Sequence, residues 1–279
     1  MEIIKVTDTD RFGLEKVIKE LNKMITERKR ITEIQGFQKL IKRINGKEIN
    51  CKGMLMGNLN HILVTMRFFD NKEINILACD VRIKNGAKGQ NPDLLISHKD
   101  EEYAIEIKTV NRNDYDDEIW KLMSSKKEFI KIPEKSPSGF KRGKNLVQKM
   151  ADDIIPQLDM KRKNIVLILS DVDPPRELGG YLCLIDSEMH RLYEEYVQKN
   201  KAIPCEHLLF KTYSNRIELI KKYVGVKKLI VFSDRGIGDN AIVGTSDCFS
   251  KELLDFLRYS KFNIHHFWCD ILDKERKIL

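Results

Sequence analysis

Residues 91–110 read NPDLLISHKDEEYAIEIKTV. Two β-rich runs, 92–97 and 102–110, flank a polar turn at Lys99-Asp100, the pattern of a hairpin. Alternation puts Glu102, Ala104, Glu106 and Lys108 on one face of the second strand. Tyr103, Ile105, Ile107 and Thr109 take the other. A turn centred on Lys99-Asp100 sets Asp93 opposite Glu106, and every even-length loop about that centre keeps this register. The turn carries neither Gly nor Asn, the residues that tight hairpins favour.

Directly opposed side chains have Cβ atoms about 4.5–5.5 Å apart. Two carboxylates about 5 Å apart repel by roughly 3 kcal/mol at an effective dielectric near 20. That is a large cost for a marginally stable domain. Lys108, on the same face as Glu106, offsets part of it, and a divalent cation between the carboxylates would offset far more. This face is therefore expected to hold a metal.

Upstream, apolar positions recur with helical spacing through 11–30 and 33–44, the second run closing at Asn45-Gly46. Residues 53–69 form a third, more apolar helical stretch, and 73–84 a strand closed by Asn85-Gly86. Downstream, 116–131 and 144–158 read as helices, and NIVLILS (164–170) as a buried parallel strand. YLCLID (181–186) and KKLIVFS (227–233) read as strands, helices are expected at 187–199, 215–223 and 250–260, and a last strand near 262–268. The expected class is α/β, a mixed central sheet flanked by helices, antiparallel early and parallel later. Residues 1–50 are expected to form a helical layer or subdomain, 51–175 the core, and 176–279 an α/β extension.

Pro92-Asp93, twelve residues, then Glu106-Ile107-Lys108 is similar to the PD-(D/E)xK motif, and residues 53–170 resemble the PD-(D/E)xK nuclease superfamily. That superfamily includes many restriction endonucleases, Holliday-junction resolvases and repair nucleases. The resemblance implies a restriction-endonuclease-like αβββαβ core, whose elements occur here in that order. It implies Mg²⁺, replaceable by Mn²⁺, bound by Asp93, Glu106 and the Ile107 carbonyl, with Lys108 completing the catalytic set. The chemistry implied is hydrolysis of phosphodiester bonds in DNA, restriction-like cleavage of duplex first and structure-selective or repair cleavage second. Cutting both strands commonly takes two active sites, so a homodimer is a candidate assembly. Many members add an acid from the helix before the first strand, and residues 53–69 contain none. Asn58, Asn60, Glu33, Glu48 and Asp80 are the candidates for that place. A non-catalytic nucleic-acid-binding protein of the same fold is the rival reading.

Composition agrees with a soluble chain and a polyanionic partner. The 279 residues are 42% hydrophobic and 33% charged, with a net charge of +8. Lys84 and Lys88 in a Gly/Lys loop, and Lys141, Arg142, Lys144 and Gln148 beyond it, are candidate nucleic-acid contacts. No apolar run reaches the length of about 18 residues that a membrane span needs. No signal-peptide pattern opens the chain, so the cytoplasm is the expected compartment. The six cysteines include no CxxC, and Cys205, His207, His265, His266 and Cys269 are read as packing residues rather than zinc ligands. Gly236 to Ala241 matches GxGxxA but is followed by β-branched residues rather than a helix start, and is read as a surface loop. Asp171 and Asp173 are read as ending a strand.

Overall fold

The computed structural model describes residues 3–5, 14–46, 52–80, 91–110, 150–159, 161–170, 222, 228–234, 240–244, 246–260 and 262. Helix α1 (Glu15–Glu27) is followed by a 3₁₀ turn (Lys29–Glu33) and helix α2 (Phe37–Ile44). Helix α3 spans Lys52–Phe69. The strands are β1 (Ile74–Cys79), β2 (Leu94–His98), β3 (Glu101–Val110), β4 (Lys163–Ser170), β5 (Leu229–Asp234) and β6 (Asn240–Gly244). Helix α4 (Lys251–Tyr259) closes the described chain, with the Ser250 hydroxyl accepting the Leu253 N–H as its cap.

The six strands form one sheet in chain order. β1, β2 and β3 are an antiparallel meander, β4 and β5 add in parallel, and β6 returns antiparallel. The mixed α/β class is thus the one expected, with β4 flanked by parallel neighbours as its continuous apolar run required. β6 was not foreseen. It begins at Asn240, so the last two residues of the stretch read as a surface loop belong to a strand, where a dinucleotide fold would start a helix.

Across the central strands β3, β4 and β5, described residues of both parities are buried, whereas β1 and β2 keep exposed or half-buried positions. Tyr103, Ile105 and Ile107 of β3, Ile165, Leu167 and Leu169 of β4, and Ile230 and Phe232 of β5 join one hydrophobic cluster with the helices. That cluster includes Ile4, Leu14 and Leu21 from before residue 50, and Leu253 and Phe262 from near the end. Ala104, Val166, Ile168, Leu229 and Val231, on the opposite parity, are also buried. Buried Asn22 ties the N-terminal segment to α1, its Oδ1 accepting from Ile4 N–H at 2.8 Å and its Nδ2 donating to the Ile4 carbonyl at 3.0 Å.

The continuous helix expected over 33–44 is instead broken. Gly36 has φ +86°, and a Cβ there would lie 1.7 Å from the Cys79 carbonyl oxygen. The Cys79 N–H donates to the Gln35 carbonyl at 2.7 Å, so this turn is fastened onto the end of β1. The segment expected as helix over 144–158 is described only from 150, as a π-helical turn (Met150–Ile154) and a 3₁₀ turn (Ile155–Gln157). Pro156 has no N–H to continue a helix. The expected elements at 116–131, 181–186 and 187–199 lie outside the described residues, as do nearly all of 215–223 and of 262–268.

Candidate active site

The hairpin that carries the motif has the register read from its sequence. Leu94 pairs with Ile105 and His98 with Glu101, which leaves Lys99-Asp100 as a two-residue turn and sets Asp93 across from Glu106. Lys99 and Asp100 have φ of +48° and +64°, so the turn takes the mirror-image form that matches strand twist, without Gly or Asn.

Asp93 is fixed on three sides. Its Oδ2 accepts the Ile107 N–H at 2.8 Å. Its carbonyl accepts from His61 Nε2 at 2.8 Å and from the Asp80 N–H at 3.0 Å. A carbonyl can only accept, so Nε2 carries the His61 proton. Burial pushes the pKa of His61 down against the opposing pull of Asp93. The neutral imidazole thus acts as a strut from α3 to the strand that opens at Asp93.

Glu106 is 6% exposed. Its neighbour along the sheet is Val166, and beyond that Val231, both fully buried. Burial pushes the Glu106 carboxyl up to about 7, and the nearby Asp93 charge pushes the same way. Lys108 opposes both, its Nζ lying 2.6 Å from Glu106 Oε1. The Lys108 side chain remains 33% exposed, so the ammonium borders solvent while the carboxylate does not. Asp93, Glu106 and Lys108 therefore converge at one place.

The donor set suits a hard divalent cation, because it offers oxygen ligands whose mutual repulsion a cation offsets. Among the described residues, no group of three or more His, Cys, Asp or Glu side chains is arranged to hold a metal. Among the described residues, Asp93 and Glu106 are the two carboxylates that the hairpin sets across from one another.

The candidates for an additional acid separate clearly. Asn58 is turned back on its own helix, its Nδ2 donating to the Met54 carbonyl at 2.8 Å. Asn60 is buried and donates to Thr109 Oγ1 at 3.0 Å, so it fastens α3 to β3. Glu33 is exposed at the end of the 3₁₀ turn, and Glu48 lies outside the described residues. Asp80, just past the end of β1, donates its N–H to the Asp93 carbonyl at 3.0 Å, but its Oδ2 is engaged by Lys39 at 3.0 Å and Arg43 at 3.7 Å.

His61, Lys39 and Arg43 were not singled out in the sequence. Each acts across a long stretch of chain, and a lone histidine in an apolar helix or two lysine-rich helix positions carry no local mark of that. Lys84, Lys88, Lys141, Arg142, Lys144 and Gln148 lie outside the described residues, as do Asp171, Asp173 and the five Cys and His residues weighed for zinc. No described helix is long and apolar enough to cross a membrane. No protein-family model matches the chain, and no curated protein or solved structure matches it either.

Proposed function

We propose that this protein is a metal-dependent endonuclease that hydrolyses phosphodiester bonds in DNA, with the PD-(D/E)xK superfamily as the design it resembles. The observation that carries the reading is the convergence of Asp93, Glu106 and Lys108 on a rigid sheet, with Glu106 buried at a cost that a scaffold has no reason to bear. Mg²⁺ or Mn²⁺ held by Asp93 and Glu106, with the Ile107 carbonyl, would supply the Lewis-acid charge that phosphodiester hydrolysis uses. Asp93 is pre-positioned by the Ile107 N–H on its Oδ2, which fixes the orientation of the carboxylate. Lys108 presents an ammonium to charge that develops on phosphate oxygens. Glu106 changes protonation near neutrality, so its charge is available above pH of about 7.

The test is cleavage of supercoiled plasmid, linear duplex, single-stranded and branched DNA, with Mg²⁺, Mn²⁺ or EDTA. Wild type is run beside Asp93→Ala and Lys108→Ala. Metal-dependent cutting lost in both variants is the expected result, and the preferred DNA names the subclass, restriction-like or structure-selective. A second reading, nucleic-acid binding without cleavage, is favoured by one observation: α3 brings Asn60 rather than a carboxylate to the sheet. Equal DNA binding by wild type and both variants, with no cutting in either metal, would establish that reading instead.

A further inference from the structure

Beside the carboxylate pair stands a second feature, built from residues before the nuclease-like core. Lys39 and Arg43 are four residues apart on α2, hence on one helix face. Both reach the single carboxylate of Asp80, at 3.0 and 3.7 Å. Asp80 in turn donates its N–H to the Asp93 carbonyl at 3.0 Å. Two cations on one anion leave a net positive charge one strand away from Asp93. His61, whose Nε2 contacts Asp93, registers the Arg43 charge as well as those of Asp80 and Asp93.

The placement is enforced rather than incidental. Gly36, immediately before α2, sits against the Cys79 carbonyl so closely that no side chain fits, and the Gln35 carbonyl takes the Cys79 N–H. α2 therefore begins at the end of β1, and its basic face meets Asp80 there. The Lys39 and Arg43 side chains are 69% and 40% exposed. An ammonium has three donors and a guanidinium five, so one shared carboxylate leaves most of them open to solvent.

We propose that Lys39 and Arg43, oriented by Asp80, form a phosphate-binding site that grips the nucleic-acid backbone beside the phosphodiester presented to Asp93 and Glu106. This rests on the nucleic-acid reading above. Asp80 is a positioning residue: it holds the two cations at the strand end while neutralising only one of them. Phosphate oxygens accept from Arg in bidentate fashion and from Lys as a point charge, and each contact releases condensed counterions.

The experiment is fluorescence anisotropy of a labelled DNA duplex in EDTA, where cutting is not supported, over a series of salt concentrations. Wild type is compared with Lys39→Gln/Arg43→Gln and with a charge-matched control, Lys99→Gln/Lys161→Gln. Lys99 lies in the hairpin turn at the end of β2 away from Asp93, and Lys161 just before β4, whose Lys163 pairs with Tyr103 near that same turn. Melting temperature is recorded for each to verify folding. The expected result is about tenfold or greater weakening at moderate salt for the Lys39/Arg43 double variant, with its log K against log salt slope shallower by about 2. The control should keep the wild-type slope. Equal slopes for wild type and the Lys39/Arg43 variant, or equal losses in both double variants, would overturn the proposal, the latter leaving only net charge. So would a wild type with no measurable affinity for duplex. DNA affinity that depends on Lys39 and Arg43 in a protein that cuts nothing would sustain this site while removing the hydrolase reading. Cleavage with unchanged KM in the double variant would do the reverse.

Discussion

Glu106 Oε1 and Lys108 Nζ are 2.6 Å apart, two residues along one strand, with the carboxylate buried and the ammonium at the solvent border. Removing Lys108 leaves a buried charge without its partner at high pH and a neutral acid at low pH. Lys108→Ala should therefore lose about 1–3 kcal/mol of stability at pH 8, discounted for the exposure of the ammonium, and little at pH 5. Urea titrations at the two pH values measure the difference. In the cleavage assay the same variant should fall by about a hundredfold or more, as loss of a charge-stabilising donor does. An equal stability loss at both pH values would show that Glu106 is not the group Lys108 serves.

Glu106 also sets the sign of a pH dependence. Its folded pKa, near 7, lies above its ordinary value of 4.5. The stability it contributes is complete below the ordinary value and is lost as pH rises through 4.5 to about 7, because the unfolded chain releases the proton first. The expected slope over that window approaches 1.4 kcal/mol per pH unit. Glu106→Gln should remove this component and be the more stable protein at pH 8 in EDTA. Melting curves of both proteins between pH 4.5 and 8.5 decide it; parallel curves would mean that Glu106 ionises normally.

Cation binding should run opposite to that slope. A cation held by Asp93 and Glu106 needs both carboxylates ionised, so stabilisation by Mg²⁺ or Mn²⁺ must grow as pH rises through about 7. At a hundredfold excess over its dissociation constant, a ligand adds about 2.7 kcal/mol. The rise in melting temperature with millimolar Mg²⁺ should be larger at pH 8 than at pH 6. It should vanish in Asp93→Asn and in Glu106→Gln. This readout does not depend on cleavage. An identical shift in those variants would place the cation elsewhere.

Much of this centre was legible because it is local. Alternation on 102–109 and a two-residue turn fix the Asp93–Glu106 register, and the ladder from Leu94–Ile105 to His98–Glu101 follows it. The parallel setting of β4 followed from its unbroken apolar run. What escaped depends on contacts distant in sequence. Gly36 looks like one tolerated glycine in a helical pattern, until the Cys79 carbonyl is placed against it. Asn60, a candidate for the place of the missing acid, instead ties α3 to Thr109, and His61, with no local mark in its apolar helix, reaches the Asp93 backbone. β6 is only five residues long and follows a glycine-rich segment, so its sheet partner supplies the order that its composition does not.

Gly36 should be the least replaceable of the described glycines. Its φ of +86° is unfavourable for any L side chain, and the atom a Cβ would strike is backbone and so unable to swing away. Gly36→Ala should cost about 3 kcal/mol or more, since strain and overlap combine there. Gly57 has open space around its Cβ direction, and Gly57→Ala in the middle of α3 should be neutral or stabilising. Chemical denaturation of the two variants compares them directly. A Gly36→Ala protein within about 1 kcal/mol of wild type would mean that the turn is not held against β1.

The hairpin turn offers the opposite case, a place where the native residues are not the best for their backbone. Lys99 and Asp100 both hold left-handed φ, at +48° and +64°, where Asn-Gly is the favoured pair. Lys99 gains an ion pair with Glu252 at 2.9 Å, but both side chains are exposed and that contact is weak in water. Relief of backbone strain should therefore outweigh the loss of the pair. Lys99→Asn/Asp100→Gly is expected to raise stability by about 1 kcal/mol. The turn lies six residues from Asp93 along an extended strand, about 20 Å away, so the carboxylate centre should keep its metal response. A destabilised double variant would show that the Lys99–Glu252 contact, which ties the hairpin to α4, outweighs the turn.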